Sequence, residues 1–420
     1  MLQNLKKGLS MRKLLCVMPI VAIVMLFGKV CAGSTSFHQG GSGACNGCHG
    51  ANSTEKSDSS VLLGVDASST CLRCHAGSSP TDHQVATHPA PPAGIPPKAL
   101  TPGGDFAYLR KNYQWLNTNG TRGTSSGDRH GHNIVAQAYG YSRDNALSVA
   151  PGGSYPSEAL SCISCHDPHG NYRLVDLQGT IAAEGNPIVS SGSYGAVPNG
   201  NETVGTYRLL AGRGYRTRSA DNVFAHDPPI AVAPKDYNRS EASSDTRVAY
   251  GKGVSGWCAN CHEGFISGGG MNHTHPSDTE LGSKVAIYNV YVKSGDFSGS
   301  RATAYSSLIP FQSGEITDPQ QLSVELTSTA GPNPDDRITC LTCHRAHASG
   351  WDSITRWNTK GTFLAVAGEF PGLDALGKRA NNEDSGGKLK SEYQVAMYNR
   401  NASMFATFQR QLCDKCHAKD

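Results

Sequence analysis

The chain has 420 residues, among them 14 Cys, 16 His, 48 Gly and 22 Pro, but only 38% are hydrophobic and 7% aromatic. Length would allow two or three ordinary domains, yet so few apolar side chains are thin for cores of that size. Charged residues at 17% and a net charge of +3 are equally unlike a disordered chain, so the composition points to an interior filled by something other than side chains.

The chain opens on a basic stretch (Lys6, Lys7, Arg12, Lys13), an apolar run from Leu14 to Phe27 and small residues from Ala32 to Ser36. This is the pattern of a secretory signal peptide over residues 1–36, with cleavage after Ala32 or after Ser36, and the run is too short and wrongly flanked to span a membrane. No later segment is apolar enough to do so. Removing 1–36 takes away five positive charges and no acids, so the formal charge becomes −2, which leaves a nucleic-acid partner without electrostatic support. Residues 37–420 are expected to form one exported domain.

Beyond the leader every cysteine belongs to one pattern, C-x-x-C-H. In chain order the six copies are Cys45/Cys48/His49, Cys71/Cys74/His75, Cys162/Cys165/His166, Cys258/Cys261/His262, Cys340/Cys343/His344 and Cys413/Cys416/His417. The spacing is that of c-type haem attachment. Two thiols one helical turn apart meet the two vinyl groups of a porphyrin edge, and the following His sits beneath the iron as proximal ligand. A disulfide framework or zinc ribbons would also use paired cysteines, but neither needs a His after every second Cys. Six haems would explain the composition, with porphyrin as the core and the chain wrapped round it.

Between the motifs few elements are expected. The stretch from Ala76 to Gly104, with Pro91-Pro92 and Pro96-Pro97, reads as an extended wrapper. Residues 251–256 match G-x-G-x-x-G but follow no apolar strand and run into Trp257-Cys258; they read as a flexible approach to the fourth motif. A short helix is predicted from Lys284 to Lys293. A longer one is predicted over 391–412, carrying Tyr398, Phe405, Phe408 and Leu412 on a face that packs on haem. Trp115, Trp257, Trp351 and Trp357 read as packing residues. The motif intervals of 26, 91, 96, 82 and 73 residues show no duplication beyond the motif itself.

What stands opposite each proximal His decides between electron transfer and substrate chemistry. Past the leader only Met271, Met397 and Met404 could supply sulfur, too few for six irons, whereas ten further histidines remain: His38, His83, His88, His130, His132, His169, His226, His273, His275 and His347. Bis-histidine ligation throughout is possible in number. His169 and His347 each lie three residues after a proximal His, on the same side of one turn. Neither can swing to the far face of its own haem, so each should reach the iron of a neighbouring one.

The segments TPGGDF (101–106), GHNIVA (131–136), CISCHDPHG (162–170), RVAYG (247–251) with WCANCH (257–262), CLTCHRAHASGWDS (340–353) and the terminal CDKCHAKD are more specific than the motif alone. In them the chain, from about Phe37 to Asp420, resembles the OmcS-like hexahaem c-type cytochromes, extracellular proteins that polymerise into conductive filaments. The resemblance implies a mostly irregular, coil-rich fold with short α-helices and little β, and six haem c groups in line. It implies distal ligands His83, His132, His169, His275 and His347, and a further distal His given across the protomer boundary from three residues after the first proximal His. This sequence has Asn52 there, and His38 is the best substitute, with His226, His88, His130 and His273 weaker. The function implied is electron transfer, not enzymatic turnover, at the cell surface or outside the cell. The protein would act as a homopolymer that receives electrons from donor cytochromes and passes them to acceptors such as metal oxides. A monomeric periplasmic or cell-surface shuttle and a multihaem reductase with one open haem remain alternatives.

Overall fold

The computed structural model describes residues 45–50, 62–79, 83–217, 220–235, 247–266, 277–375 and 382–418. The expected leader, His38, His273 and His275 lie outside the described residues, as does the side chain of Cys45.

Among the described residues regular structure is sparse and local. The α-helices are α1 (Cys45–Cys48), α2 (Ala67–His75), α3 (Val254–His262), α4 (Lys284–Val290), α5 (Pro319–Glu325), α6 (Cys340–Cys343), α7 (Asn382–Ser385), α8 (Lys390–Ala396) and α9 (Asp414–His417). The longest, α2 and α3, have nine residues each. Strands run two to four residues. The one four-stranded sheet orders Ile181–Ala182, Arg173–Leu174, Thr203–Gly205 and Ile188–Ser190, the last pair parallel and the others antiparallel. Tyr113–Leu116 and Arg122–Ser125 form an antiparallel hairpin. The fold is coil-rich with short helices and little β.

Elements this short cannot bury much apolar surface as amphipathic faces. The largest core cluster instead gathers single residues from many places, including Leu72, Phe106, Tyr288, Phe311, Trp351, Trp357 and Tyr393, with Cys162, Cys343 and Cys416 packed against it. Buried polar side chains tie the coil down. The fully buried Asp105 carboxylate accepts from the backbone N–H groups of Thr87, Ala99 and Ala107 and from the Thr87 hydroxyl, which holds the Ala76-to-Gly104 wrapper extended. Its paired backbone among the described residues is the two-residue parallel match of Ala76–Gly77 with Ala86–Thr87 and a parallel bridge from Gly104 to Ala348.

The helix expected at Lys284 is α4 and ends at Val290. The one expected over 391–412 is not continuous. It begins at Lys390 and stops at Ala396, because Tyr398 and Asn399 adopt left-handed φ values of 59° and 57°, which no α-helix of L-residues continues through. A 3₁₀ turn (Ala402–Met404) and a strand (Phe408–Arg410) follow. Tyr398 leaves the helix to donate its hydroxyl to Thr101 O at 2.7 Å, and Phe408 is 48% exposed while Leu412 is buried, so these side chains share no face. The glycine-rich segment also differs from expectation. A short strand, Ala249–Tyr250, precedes it, and Gly253, with φ +101°, is the N-cap of α3. A Cβ on Gly251 would lie 2.5 Å from Ile316 O, so this is a packed turn rather than a flexible approach. Trp351 and Trp357 are buried packing residues.

Candidate functional site

The six motifs are not six isolated copies. In α2 and α3 the helix starts four residues before the first Cys, and a Ser stands three before it (Ser68 and Ser255). The Ser68 hydroxyl accepts from the backbone N–H of Cys162 at 3.2 Å, and Ser255 from that of Cys340 at 3.3 Å. The second and third motifs are therefore docked together, and the fourth and fifth are docked in the same way. The third and fifth motifs are themselves alike. The Ser161 N–H donates to Ser164 Oγ, and the Thr339 N–H to Thr342 Oγ1, both at 3.0 Å, closing each short turn from within. At both docks sulfur meets sulfur. A hydrogen bond from Cys71 brings the buried Cys162 thiol down, and one from Cys258 brings Cys340 down to about 7.

The likeness extends past the motifs. Arg208 and Leu209 take successive left-handed conformations (φ 54° and 51°), as do Ser353 and Ile354 (56° and 58°), a strained arrangement for non-glycine residues. In each case the first carbonyl faces a proximal histidine: His166 Nδ1 donates to Arg208 O at 2.8 Å and His344 Nδ1 to Ser353 O at 2.7 Å. The second carbonyl accepts from the residue after that histidine, Asp167 or Arg345. The chain thus repeats a two-motif unit, over about 67–211 and 254–356, that the unequal motif intervals conceal. The signals were in the sequence: Ser at −3, Ser/Thr flanking the third and fifth motifs, His three residues beyond them, and a His-x-His in each unit (130–132 and 273–275).

Four proximal histidines face a second imidazole. Ring centroids are 6.3 Å apart for His49 and His169, 5.9 Å for His75 and His83, 6.4 Å for His166 and His347, and 6.1 Å for His262 and His132. A first-row metal takes imidazole nitrogen at about 2 Å, so two rings across one ion have centroids roughly 6 Å apart. The ring nitrogens are also sorted for the task. Nδ1 donates to a backbone carbonyl in His75 (to His83 O), His132 (to Ala346 O), His166, His262 (to Pro151 O) and His344, which leaves Nε2 as the basic nitrogen. Burial holds His132 down to about 4 and His347 down to about 3, the neighbouring proximal rings adding to the effect, so both stay neutral, the form that binds iron. These residues fit haem. Sets fit for a zinc ribbon are absent: among the described residues no three Cys, His, Asp or Glu gather round one point.

His347 is gripped by the linker segments. Its N–H donates to Gly103 O, its carbonyl accepts from His132 N–H, and Phe106 stacks on its ring at 4.8 Å. A Cβ on Gly104 (φ +103°) would fall 1.7 Å from Ala348 O, so only glycine fits there. Of the remaining described histidines, His130 is fully buried and bonded to Ser125 Oγ and Tyr108 O, His88 lies edge-on to Tyr139, and His226 is exposed beside α3, its N–H on Asn260 Oδ1. Cys71, Cys162, Cys165, Cys258, Cys261, Cys340, Cys343 and Cys416 are thiols outside any disulfide, whereas Cys74 is in a disulfide. Among the described residues no helix is long and apolar enough to cross a membrane.

No protein-family model matches the chain. It is 42% identical to the C-type cytochrome OmcS of Geobacter sulfurreducens over 416 residues, covering 92% of this chain and 94% of that protein. It also superposes on two solved structures of that organism, the OmcS nanowires seen by cryo-EM and the outer membrane cytochrome S filament. The TM-score is 0.81 for each, at 42% and 41% identity, over 91% of this chain and all of theirs. With that identity over nearly its whole length, and with imidazoles paired about its C-x-x-C-H motifs, the chain belongs to the OmcS family of c-type cytochromes.

Proposed function

We propose that the protein carries electrons over long distances outside the cell, through six covalent haem c groups, as a homopolymeric filament. Single observations of the motif would not carry this; the pairing of four proximal imidazoles with four others at about 6 Å does. When bound, each haem supplies an iron that alternates between ferric and ferrous. The chain's part would be to hold the six haems by twelve thioethers, two to each, on Cys45, Cys48, Cys71, Cys74, Cys162, Cys165, Cys258, Cys261, Cys340, Cys343, Cys413 and Cys416. Proximal His49, His75, His166, His262, His344 and His417 orient them from below. Distal His83, His132, His169, His275 and His347 would close the other face of five of the six haems, which suits those five to electron transfer rather than turnover.

The likeness to filament structures supports polymerisation, and the leader pattern supports a mature domain from residue 37, exported and found at or beyond the cell surface. Donor cytochromes upstream and acceptors such as metal oxides complete the reading. Haem assay of the secreted protein should give six per chain, and electron micrographs of sheared surface material should show filaments. Fewer haems would reject the cofactor assignment, and discrete particles alone would reject the polymer in favour of a shuttle.

A further inference from the structure

The duplicated units carry a pairing rule. Each His placed three residues after a proximal His faces the proximal ring two motifs earlier: His169 faces His49 of the first motif, and His347 faces His166 of the third. The second His of the His-x-His faces the first motif of the following unit, as His132 faces His262. His75 has no unit before it and is served locally by His83. By the same rule His275, the second His of the repeated His-x-His, belongs to His417.

One proximal ring is left over. Among the described residues no imidazole stands opposite His344, which is exposed and has its Nδ1 committed to Ser353 O. The rule assigns it the +3 residue of a seventh motif. This chain has none, and in a following copy the corresponding position, three after His49, is Asn52; His38, the substitute that the sequence offers, lies outside the described residues. A neutral carboxamide is a poor ligand for haem iron beside imidazole.

We infer that the haem of the fifth motif has an open sixth position at the protein surface, a binding site for small exogenous ligands that donate a lone pair to iron: carbon monoxide on the ferrous form, cyanide or free imidazole on the ferric form. Binding adds one coordinate bond and transfers no electron. The inference rests on the six-haem reading, and haem content separates the two, since six haems per chain confirm that reading whatever the spin state.

The test uses the complete, haem-loaded protein, both dispersed and as filaments. Carbon monoxide is added after reduction with dithionite, and the ferric spin state is read by electron paramagnetic resonance. One haem in six should be high-spin as ferric and take up carbon monoxide as ferrous, in both forms. Asn52→His, which restores the imidazole the rule calls for, should lower the reactive fraction in filaments from one in six to none. Six haems that are all low-spin and indifferent to carbon monoxide in dispersed protein would overturn the inference. So would reactive dispersed protein with silent wild-type filaments, because a neighbouring copy would then cap His344 by another residue.

Discussion

Lys388 has no part in holding haem, yet it is among the most constrained side chains in the molecule. It is 1% exposed, with its Nζ 3.7 Å from the Tyr113 ring centroid and 4.2 Å from that of Trp351. Burial pushes its pKa down to about 7, against the pull of Glu392 and Asp352. Arg129 completes the charged surroundings through Asp352, which also pairs with Lys360, while the His130 ring beside Asp352 is held neutral by burial. In the unfolded chain the ammonium persists to about 10.5. Between pH 7 and 10.5 the unfolded state therefore holds more protons than the folded one, and folding stability rises with pH across that window. Below pH 7 the penalty for the buried charge is constant and complete. The gain should be on the order of 2–4 kcal/mol, part of the shift being offset by the two aromatic faces. Denaturant unfolding at pH 7 and pH 9.5 should show it, and Lys388→Met should flatten the profile. An unchanged slope in that variant would mean that Lys388 keeps its proton throughout.

At the scale of elements, the docks between motifs matter more than the helices themselves. Ser68 and Ser255 each satisfy a backbone N–H at the start of a second motif. Replacing either by Ala removes that N–H's partner in a part-buried contact, which costs about 1 kcal/mol. The two docks lie in different units and share no partner, so Ser68→Ala and Ser255→Ala should add in the double variant; unfolding midpoints of the four proteins check this. A marked departure from additivity would mean the docks are one structure. These elements also separate what could be read from sequence from what could not. The motifs were legible because attachment chemistry fixes residue types at fixed spacing, and His169 and His347 because three residues on a turn fix a direction. The break after Ala396 was not, because the left-handed pair Tyr398-Asn399 is imposed by tertiary contacts such as Tyr398 with Thr101 rather than by turn-forming residues. The repeated unit was hidden for a related reason: its likeness lies in backbone carbonyls at Arg208 and Ser353, where the two side chains have nothing in common.

For the molecule as a whole, the imidazole pairs replace a conventional core. His169 reaches back to His49, His347 to His166, and His132 forward to His262, so an iron between each pair would close a loop of more than a hundred residues. Closing loops of that length is entropically expensive for a free chain, though the cost grows only slowly with length, and each closure made by coordination restrains a chain whose buried hydrophobic side chains, among the described residues, otherwise fall into separate clusters. The interleaving makes a prediction that a simple bead-on-string cytochrome would not. His169→Ala removes a side chain only three residues from His166, yet the haem of the third motif, between His166 and His347, should stay low-spin. The haem of the first motif, more than a hundred residues away in sequence, should become high-spin. Spectra of three proteins decide this: His169→Ala, the variant lacking the first haem (Cys45→Ala with Cys48→Ala), and the combination. The single substitution should add one high-spin iron, and the combination should add none beyond the haem-deleted parent. A high-spin iron that survives deletion of the first haem would place His169 on another iron and break the pairing rule on which the continuous line of haems depends.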